Sequence, residues 1–251
     1  RLVVTRRAAD ATWHRGRAGL TYRDLIPDRL GGRFIASHIR IEEGGPVPDY
    51  VHFHKIRFQM IFCKTGWAKL VYEDQGEPFL LEAGDCVLQP PEIRHRVLEA
   101  SDGLEVIEIG CPAVHETFAD NNMELPTGRV LPVRLYGDQR FVRHIAAEAQ
   151  WRPWHLPGFE ARDLGISAAT DGLAGVRVVR ATDRVRADAT AHGGEFLFYF
   201  VLKGEMALSG SNLGKHVLAA DASVVIPNDA AFALEASAGT EFLEVCLPDL
   251  A

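Results

Sequence analysis

The chain has 251 residues, of which 47% are hydrophobic, so it is long and apolar enough for one large or two small globular domains. Its formal net charge of −7 argues against nucleic acid as the main partner, and no apolar run approaches the roughly 18 residues of a membrane span. The four cysteines form no C-x-x-C pair and no signal peptide is recognisable, so we expect reduced thiols in a cytoplasmic protein.

The first stretch of the chain is mixed and ends in a predicted strand. Residues 1–30 carry a local basic cluster that we interpret as solvated surface: Arg6, Arg7, Arg15 and Arg17. Residues 33–41 have the density of β-branched side chains that is typical of a strand. The sequence Gly44-Gly45-Pro46 then breaks it.

Between Val51 and Ile109 the chain predicts a series of short strands separated by turn residues. Residues 67–73 alternate apolar and polar side chains, as a half-buried strand does, and residues 74–76 are a hairpin-turn candidate. The other predicted strands are 51–64, 79–81, 84–89, 95–99 and 104–109. Short strands at near-regular spacing are typical of a sandwich or a closed barrel, so the predicted fold class is all-β.

Residues 113–157 differ in composition, and we predict that they form a connector with a short helix. Residues 141–150 have helical composition, with Phe141, Ile145 and Ala149 on one face. The sequence Trp151-Arg-Pro-Trp-His-Leu-Pro-Gly158 follows them.

The second half of the chain repeats the first. Residues 83–101 match residues 219–237 without a gap at an offset of 136, and Glu108 stands opposite Glu244 in the continuation. A duplicated short-strand domain predicts an N-terminal domain at 1–112, the connector at 113–157 and a C-terminal domain at 158–251.

Three histidines predict a metal site in the first half. His52 and His54 are two residues apart, so on a strand both imidazoles point to one face, and His95 arrives from a separate strand. Gln59 has an odd offset from His54 and reaches that face only through a turn, a bulge or a place on the next strand. Such a set suits Fe, Ni, Mn, Co, Cu or Zn, whereas the alternative is three core or surface histidines without a metal.

These stretches resemble the paired motifs of the cupin superfamily. The residues that match the first motif are Gly45, His52, His54, Gln59 and Gly66, and those that match the second are Gly84, Pro90, Glu92, His95 and Glu99. The chain departs from the family in four places: the gap after Gly45 is six residues instead of five, Gln59 stands where Glu is usual, Pro-x-Gly has become Pro90-Pro91-Glu92, and the closing Asn is Glu99. The resemblance implies two tandem cupin barrels of jelly-roll type, a bicupin, and a homodimer.

The repeat indicates that the two domains differ in their metal sites. The residues opposite His52, Gln59 and His95 are Thr190, Leu197 and Ala231, so only His192 of the set persists, with Glu195 nearby. We therefore expect the metal site of the C-terminal domain to be degenerate. That domain is then either a structural partner of the first or a metal-free ligand pocket.

Other candidate site residues follow from the same strands. Gln59 is the fourth metal ligand or a group that orients a bound ligand. Glu99 is four residues from His95 and therefore shares its face, which makes it a catalytic candidate. Its counterpart Glu235 persists without the metal ligands, which favours a structural role. Candidate substrate-binding residues are Arg57, Tyr72, Gln89 and Arg94, with surface charge or core packing as the alternative.

The resemblance implies many activities, and the fold does not choose among them. Three neutral imidazoles and a carboxamide leave the full charge of a divalent metal, which favours an anionic substrate. We predict a metal-dependent, dioxygenase-type oxidoreductase for a small anionic organic molecule, with one divalent transition metal, Fe before Ni, Mn, Zn, Co or Cu. The alternatives are a non-catalytic sensor or storage cupin and a non-redox isomerase or lyase.

Overall fold

The computed structural model describes residues 1–8 and 11–250 and is built almost entirely of β-strands. The chain divides into two compact units: the first unit is Thr12–Glu148, and the second unit is Arg1–Ala11 together with Ala149–Ala251. Among the described residues no helix is long and apolar enough to cross a membrane. The predicted all-β class is confirmed, and the domain boundaries at 112 and 158 stay a prediction.

The elements are numbered in chain order. The strands are β1 Val3–Thr5, β2 His14–Arg15, β3 Thr21–Asp24, β4 Ile35–Ile41, β5 Gly45–Pro46, β6 His52–Lys55, β7 Phe58–Thr65, β8 Trp67–Tyr72, β9 Phe79–Glu82, β10 Cys86–Leu88, β11 His95–Ala100, β12 Leu104–Cys111, β13 Glu116–Ala119, β14 Leu135–Tyr136, β15 Gln139–Arg140, β16 Val142–His144, β17 Arg152–Pro153, β18 Phe159–Asp163, β19 Gly175–Ala181, β20 Val185–Ala189, β21 Phe196–Lys203, β22 Glu205–Gly210, β23 Gly214–Ala219, β24 Ser223–Val225, β25 Phe232–Ala236 and β26 Glu241–Leu247. The helical segments are short: α1 Arg29–Gly32, α2 Ile166–Ala169, and 3-10 turns at Arg17–Gly19 and Ala146–Glu148.

The first unit contains two main antiparallel sheets. One has seven strands in the order β16-β10-β7-β12-β4-β3-β2, and the other has six, in the order β13-β6-β11-β8-β9 with β5 paired to β11. Alternate residues of β7, β8 and β12 form an apolar core that includes Cys63, Tyr72 and Val106. Burial of each large apolar side chain in this core contributes about 1.5–3 kcal/mol.

The second unit repeats this arrangement with its own two sheets. One has seven strands in the order β1-β24-β21-β26-β19-β18-β17, and the other has four, in the order β20-β25-β22-β23. Its core includes Val179, Leu197, Tyr199 and Phe242. In the described part of either unit, strand pairing does not join the two sheets into a closed ring, so the pattern of hydrogen bonds is that of a sandwich.

The helix predicted over residues 141–150 is wrong. Val142–His144 instead forms β16, which adds to the free edge of β10, and Ala146–Glu148 forms one 3-10 turn. The hydrogen bonds that β10 offers at its edge outweigh the weak helical preference of this short segment. Phe141 then packs against Tyr72, with ring centroids 4.5 Å apart.

The turn after β8 is fixed by a buried acidic pair. Asp74 is fully buried and accepts hydrogen bonds from Thr127, Arg129 and Arg134, and Glu73 also accepts one from Arg134. Burial alone raises the pKa of Asp74, but these hydrogen bonds outweigh burial and lower it. The segment that carries Thr127, Arg129 and Arg134 is therefore bound to the turn after β8 by charge as well as by packing.

Candidate metal centre

Two neighbouring strands bring the three predicted histidines together. β6 carries His52 and His54, and on β11 the residue directly opposite His52 is His95. The ring centroids of His52 and His95 are 4.3 Å apart, and His54 lies 5.1 and 5.2 Å from them. One ring nitrogen from each residue lies within 4.8 Å of the other two, so the group could hold a metal ion.

The Nδ1 atom of each imidazole has a hydrogen-bond partner. Nδ1 of His52 donates to the Tyr50 carbonyl oxygen at 2.7 Å, and Nδ1 of His95 donates to the Ile93 carbonyl oxygen at 2.9 Å. A carbonyl oxygen only accepts, so these two rings carry their proton on Nδ1 and present the Nε2 lone pair. Such bonds orient histidine ligands in metal sites.

The third imidazole is held by a residue from the predicted connector. Nδ1 of His54 lies 2.7 Å from the Thr117 hydroxyl oxygen, because β13 pairs with β6 and places Thr117 opposite His54. The segment after residue 112 thus completes the surroundings of the site, which the sequence did not reveal.

Burial disfavours the charged form of His54 and of His95. Burial lowers the pKa of His54 to about 3, and the positive charges of His52, His115 and Arg17 contribute further. Burial, followed by His52 and His54, also lowers the pKa of His95, against the opposing hydrogen bond to Ile93. A metal binds the neutral form of histidine, so these rings need not lose protons to bind one at neutral pH.

Gln59 lies on the next strand, which resolves its odd offset from His54. A turn at residues 56–57 separates β6 from β7, and Gln59 shares its face of β7 with Ile61 and Cys63, which pack in the core. The Gln59 amide donates a hydrogen bond to Glu108, while its Oε1 atom is buried without a hydrogen-bond partner in the described chain. An amide oxygen in this state suits a metal or a bound ligand.

Glu108, which the internal repeat aligns with Glu244, is a carboxyl group in the interior of the first unit. It lies on β12 opposite Ile61 and Ser37. Part of its side chain stays accessible, but the surrounding protein removes the carboxyl from bulk water and raises its pKa to about 7, against the hydrogen bond from Gln59. Glu108, the partner of Gln59, is therefore a group in the first unit that exchanges protons near neutral pH.

Tyr72 and Gln89, two predicted substrate-binding residues, lie beside His95 in the interior. The Tyr72 ring stacks on His95 with centroids 5.6 Å apart, and its hydroxyl donates to Gln89 Oε1 at 2.5 Å. Both side chains are almost fully buried. The pair forms one wall of the site next to the histidines.

No protein-family model and no curated protein matches this chain. Its structure is similar to salicylate 1,2-dioxygenase from Pseudaminobacter salicylatoxidans, at 15% identity over 90% of this chain and 75% of that one, with a TM-score of 0.68. It is similar to protein Ylba from E. coli, at 12% identity over 98% and 90% with a TM-score of 0.70. It is also similar to oxalate decarboxylase from Bacillus subtilis, at 14% identity over 96% and 75% with a TM-score of 0.64.

These three likenesses are likenesses of fold and not of sequence. At 12–15% identity they show the fold alone, so the chemistry has to be argued from the side chains of this chain.

Two predicted substrate-binding arginines lie away from the centre. The Arg94 guanidinium donates to Asp120 at 3.1 Å and lies 3.9 Å from the centre of the Phe53 ring. Phe53 stands between the two histidines of β6, so it points to the opposite face of the strand. Arg57 is exposed in the turn between β6 and β7.

The prediction that Glu99 shares the face of His95 is wrong. The pairing of β11 with β8 shifts register between Val97 and Glu99, so Glu99 stands opposite Lys69, and Ala100 takes the core position opposite Ala68. An extra residue in a strand reverses the faces of all residues after it. Glu99 therefore points away from the histidines.

Two residues near the histidines, Arg17 and His115, could not be found from the sequence. Nη1 of Arg17 donates to the Tyr50 hydroxyl at 2.7 Å, and the Tyr50 ring contacts His52 at a centroid distance of 5.6 Å. The His115 ring lies 5.5 Å from His54, and its Nδ1 donates to the Pro112 carbonyl oxygen at 3.2 Å. Tyr50 is visible in the sequence only as an aromatic near the motif, and nothing in the sequence links Arg17 or His115 to it.

In the second unit, His192 is bonded to the main chain. Its Nε2 donates to the Ile226 carbonyl oxygen at 2.9 Å. The residues opposite the other ligands, Thr190, Leu197 and Ala231, carry no imidazole or carboxylate.

Proposed function

We propose that the chain is a metal-dependent cupin enzyme of dioxygenase type that acts on a small anionic organic substrate in the first unit. The observation that carries the proposal is the set of His52, His54 and His95, whose Nδ1 atoms are hydrogen-bonded and whose ring nitrogens converge. Gln59 would be the fourth ligand through its buried and unbonded Oε1. Iron is the metal we favour, with Ni, Mn, Zn, Co or Cu as the other candidates.

The metal would supply Lewis acidity to a coordinated substrate oxygen and, if it is iron, a centre for reaction with O2. The chain's own residues have separate roles. The three imidazoles hold the ion, and Glu108 fixes the Gln59 amide so that its oxygen faces away from the carboxylate. Tyr72 and Gln89 form a rigid wall against which a flat substrate packs.

A non-redox isomerase or lyase is the second candidate, and Glu108 is the observation that favours it. A carboxyl group with a pKa of about 7 can accept and return a proton at neutral pH, which is the step that such reactions need. A third outcome is a sensor or storage protein, in which the same centre binds a ligand without turnover.

The wider assignment is also a proposal. We propose two tandem cupin domains, at 1–112 and 158–251, joined by the connector at 113–157, in a cytoplasmic homodimer. The two pairs of sheets and the internal repeat support the duplication. The expected partner is a small-molecule substrate and neither nucleic acid nor a membrane, since the net charge is −7.

The test combines metal analysis with oxygen uptake. Untagged protein reconstituted anaerobically with Fe(II) is screened in an oxygen electrode against hydroxy-carboxylates, oxo-carboxylates and catechols. We expect about one iron per chain and uptake with at least one class, both lost in His54→Ala and both kept in the exposed control His14→Ala. If the iron-loaded protein converts a substrate without consuming oxygen, the isomerase or lyase assignment would replace the dioxygenase. Absence of bound metal in wild type would refute the proposal.

A further inference from the structure

Arg17 contacts Tyr50, a residue whose ring lies against His52, although Arg17 is far from the histidines in sequence. It begins the 3-10 turn Arg17–Gly19, and its side chain is exposed. Nη1 donates to the Tyr50 hydroxyl at 2.7 Å, and the guanidinium carbon is 5.8 Å from the centre of the same ring. The residue belongs to the basic cluster that the sequence suggests to be solvated surface.

Tyr50 connects this guanidinium to the histidines. Its carbonyl oxygen accepts the proton of His52 Nδ1 at 2.7 Å, and its ring lies edge-on to His52 at 5.6 Å. One residue thus orients a metal-ligand candidate through its main chain and holds Arg17 through its side chain. The Arg17 charge is also one of the influences that lower the pKa of His54.

The Arg17 guanidinium has no acidic partner within the described chain. Its hydrogen-bond partner is the neutral Tyr50 hydroxyl. Other arginines of the first unit are paired: Arg40 with Glu42, Arg94 with Asp120, and Arg134 with Glu73. The carboxylate nearest to His52 is Asp49, with Oδ1 3.5 Å from Nδ1, and its Oδ2 accepts the Val97 amide.

We propose that Arg17, positioned by Tyr50, binds the carboxylate of the substrate and thereby selects hydroxy- or oxo-carboxylates. A guanidinium carries five N–H donors in a planar fork that matches a carboxylate, and the contact of Arg17 Nη1 with the Tyr50 hydroxyl uses one of them. A second oxygen of such a substrate would bind the metal, so the inference rests on the proposed metal centre. Arg17 is a specificity-determining residue and takes the role that the sequence suggested for Arg57 and Arg94.

The test compares two bidentate probes that differ in a carboxylate. Protein loaded with Co(II), whose visible spectrum reports ligand binding, is titrated with salicylate and with catechol. We expect Arg17→Gln to weaken salicylate at least about tenfold while catechol binding stays within about twofold. Arg17→Lys should recover part of the loss, because it restores the charge without the planar fork.

Two further variants separate a specific role from general electrostatics. Tyr50→Phe removes the hydroxyl that holds Arg17 and should weaken salicylate by about threefold, with catechol unchanged. Arg15→Gln removes an equal charge from an exposed position on β2 and should change neither affinity.

The outcomes distinguish this inference from the proposed function. If salicylate and catechol bind wild type equally, if neither binds, or if Arg17→Gln weakens both alike, the inference is overturned, while a full Co(II) content leaves the metal centre standing. If wild type takes up no Co(II), the metal centre and the inference fail together.

Discussion

The two units carry the same interior carboxyl group but surround it differently. Glu108 on β12 has Ser37 and Ile61 as its cross-strand neighbours, whereas Glu244 on β26 has Arg177 and Tyr199 at the same two places. Nη1 of Arg177 lies 3.3 Å from Glu244, and Nη2 donates to Asp249 at 2.6 Å. Within the described residues, Glu108 has the Gln59 amide as its partner and no arginine or lysine.

The two units differ in the source of positive charge for their interiors. In the second unit Arg177 supplies it: burial works against the guanidinium, but Asp249 and Glu244 outweigh burial and raise its pKa. In the first unit the interior offers three imidazoles, an amide oxygen and a carboxyl group, which together suit an external cation. We infer that a metal ion in the first unit corresponds to a guanidinium in the second.

The largest expected effect comes from removing that guanidinium. Arg177→Met keeps most of the volume but leaves the buried Glu244 and the partly buried Asp249 without their cation, which should lower the free energy of unfolding by about 3–5 kcal/mol. Guanidinium-induced unfolding followed by circular dichroism measures it. Arg180→Met, which breaks the partly exposed pair with Glu160, is the control and should cost under about 1 kcal/mol. Equal costs would show that Arg177 does not balance the interior.

The next largest effect is a dependence of stability on pH in the metal-free protein, which tests the raised pKa of Glu108. Its pKa is about 7 in the folded state and 4.5 as a free side chain, so between these values the unfolded chain loses the proton first and stability falls as pH rises. Above about pH 7 the ionised group costs about 3 kcal/mol, and Glu108→Gln should recover much of it there. At about pH 4 the carboxyl is protonated in both states, and the variant should match wild type.

Urea unfolding at about pH 4 and about pH 8.5 measures this difference. Glu99→Gln is the matched control, since Glu99 points away from the interior, and it should show no such change between the two pH values. A Glu108→Gln effect that is the same at both pH values would contradict a raised pKa for Glu108.

A smaller effect is expected from the partner of His54. Thr117→Val keeps the shape of the side chain but removes the hydroxyl that Nδ1 of His54 contacts, so the ring is oriented less firmly. We expect the affinity for Zn(II) or Co(II) to fall about tenfold in a competition with a chromophoric chelator. Thr65→Val, at the exposed end of β7, serves as the control. Unchanged affinity in Thr117→Val would exclude a positioning role for the hydroxyl.

The sequence predicted the features that depend on local period and spacing. The H-x-H pair placed His52 and His54 on one face, and the internal repeat aligned Glu108 with Glu244 through residue identities alone. The sequence did not predict the features that depend on how strands pair with one another. The bulge before Glu99 and the edge of β10 that receives residues 142–144 are set by neighbouring strands.

The contrast between Ser37 and Arg177 could not be predicted from the sequence, because it also depends on strand pairing. These residues are equivalent through strand register, at an offset of 140 instead of the 136 of the best-matched segments, so aligning the two halves did not pair them. Arg17 was hidden because only the fold brings its 3-10 turn beside Tyr50. Spacing along one strand is visible in a sequence, whereas contacts between distant strands are not.

The number of metal ions bound per chain tests whether the first unit binds one ion and the second unit binds none. Native mass spectrometry of wild type, of a His52→Ala/His95→Ala double variant and of His192→Ala is performed after reconstitution with Fe(II) and removal of unbound metal. We expect about one ion in wild type, none in the double variant and about one in His192→Ala, because the three converging histidines lie in the first unit, whereas His192 is bonded to the main chain. Two ions in wild type, or loss of the ion in His192→Ala, would contradict the account.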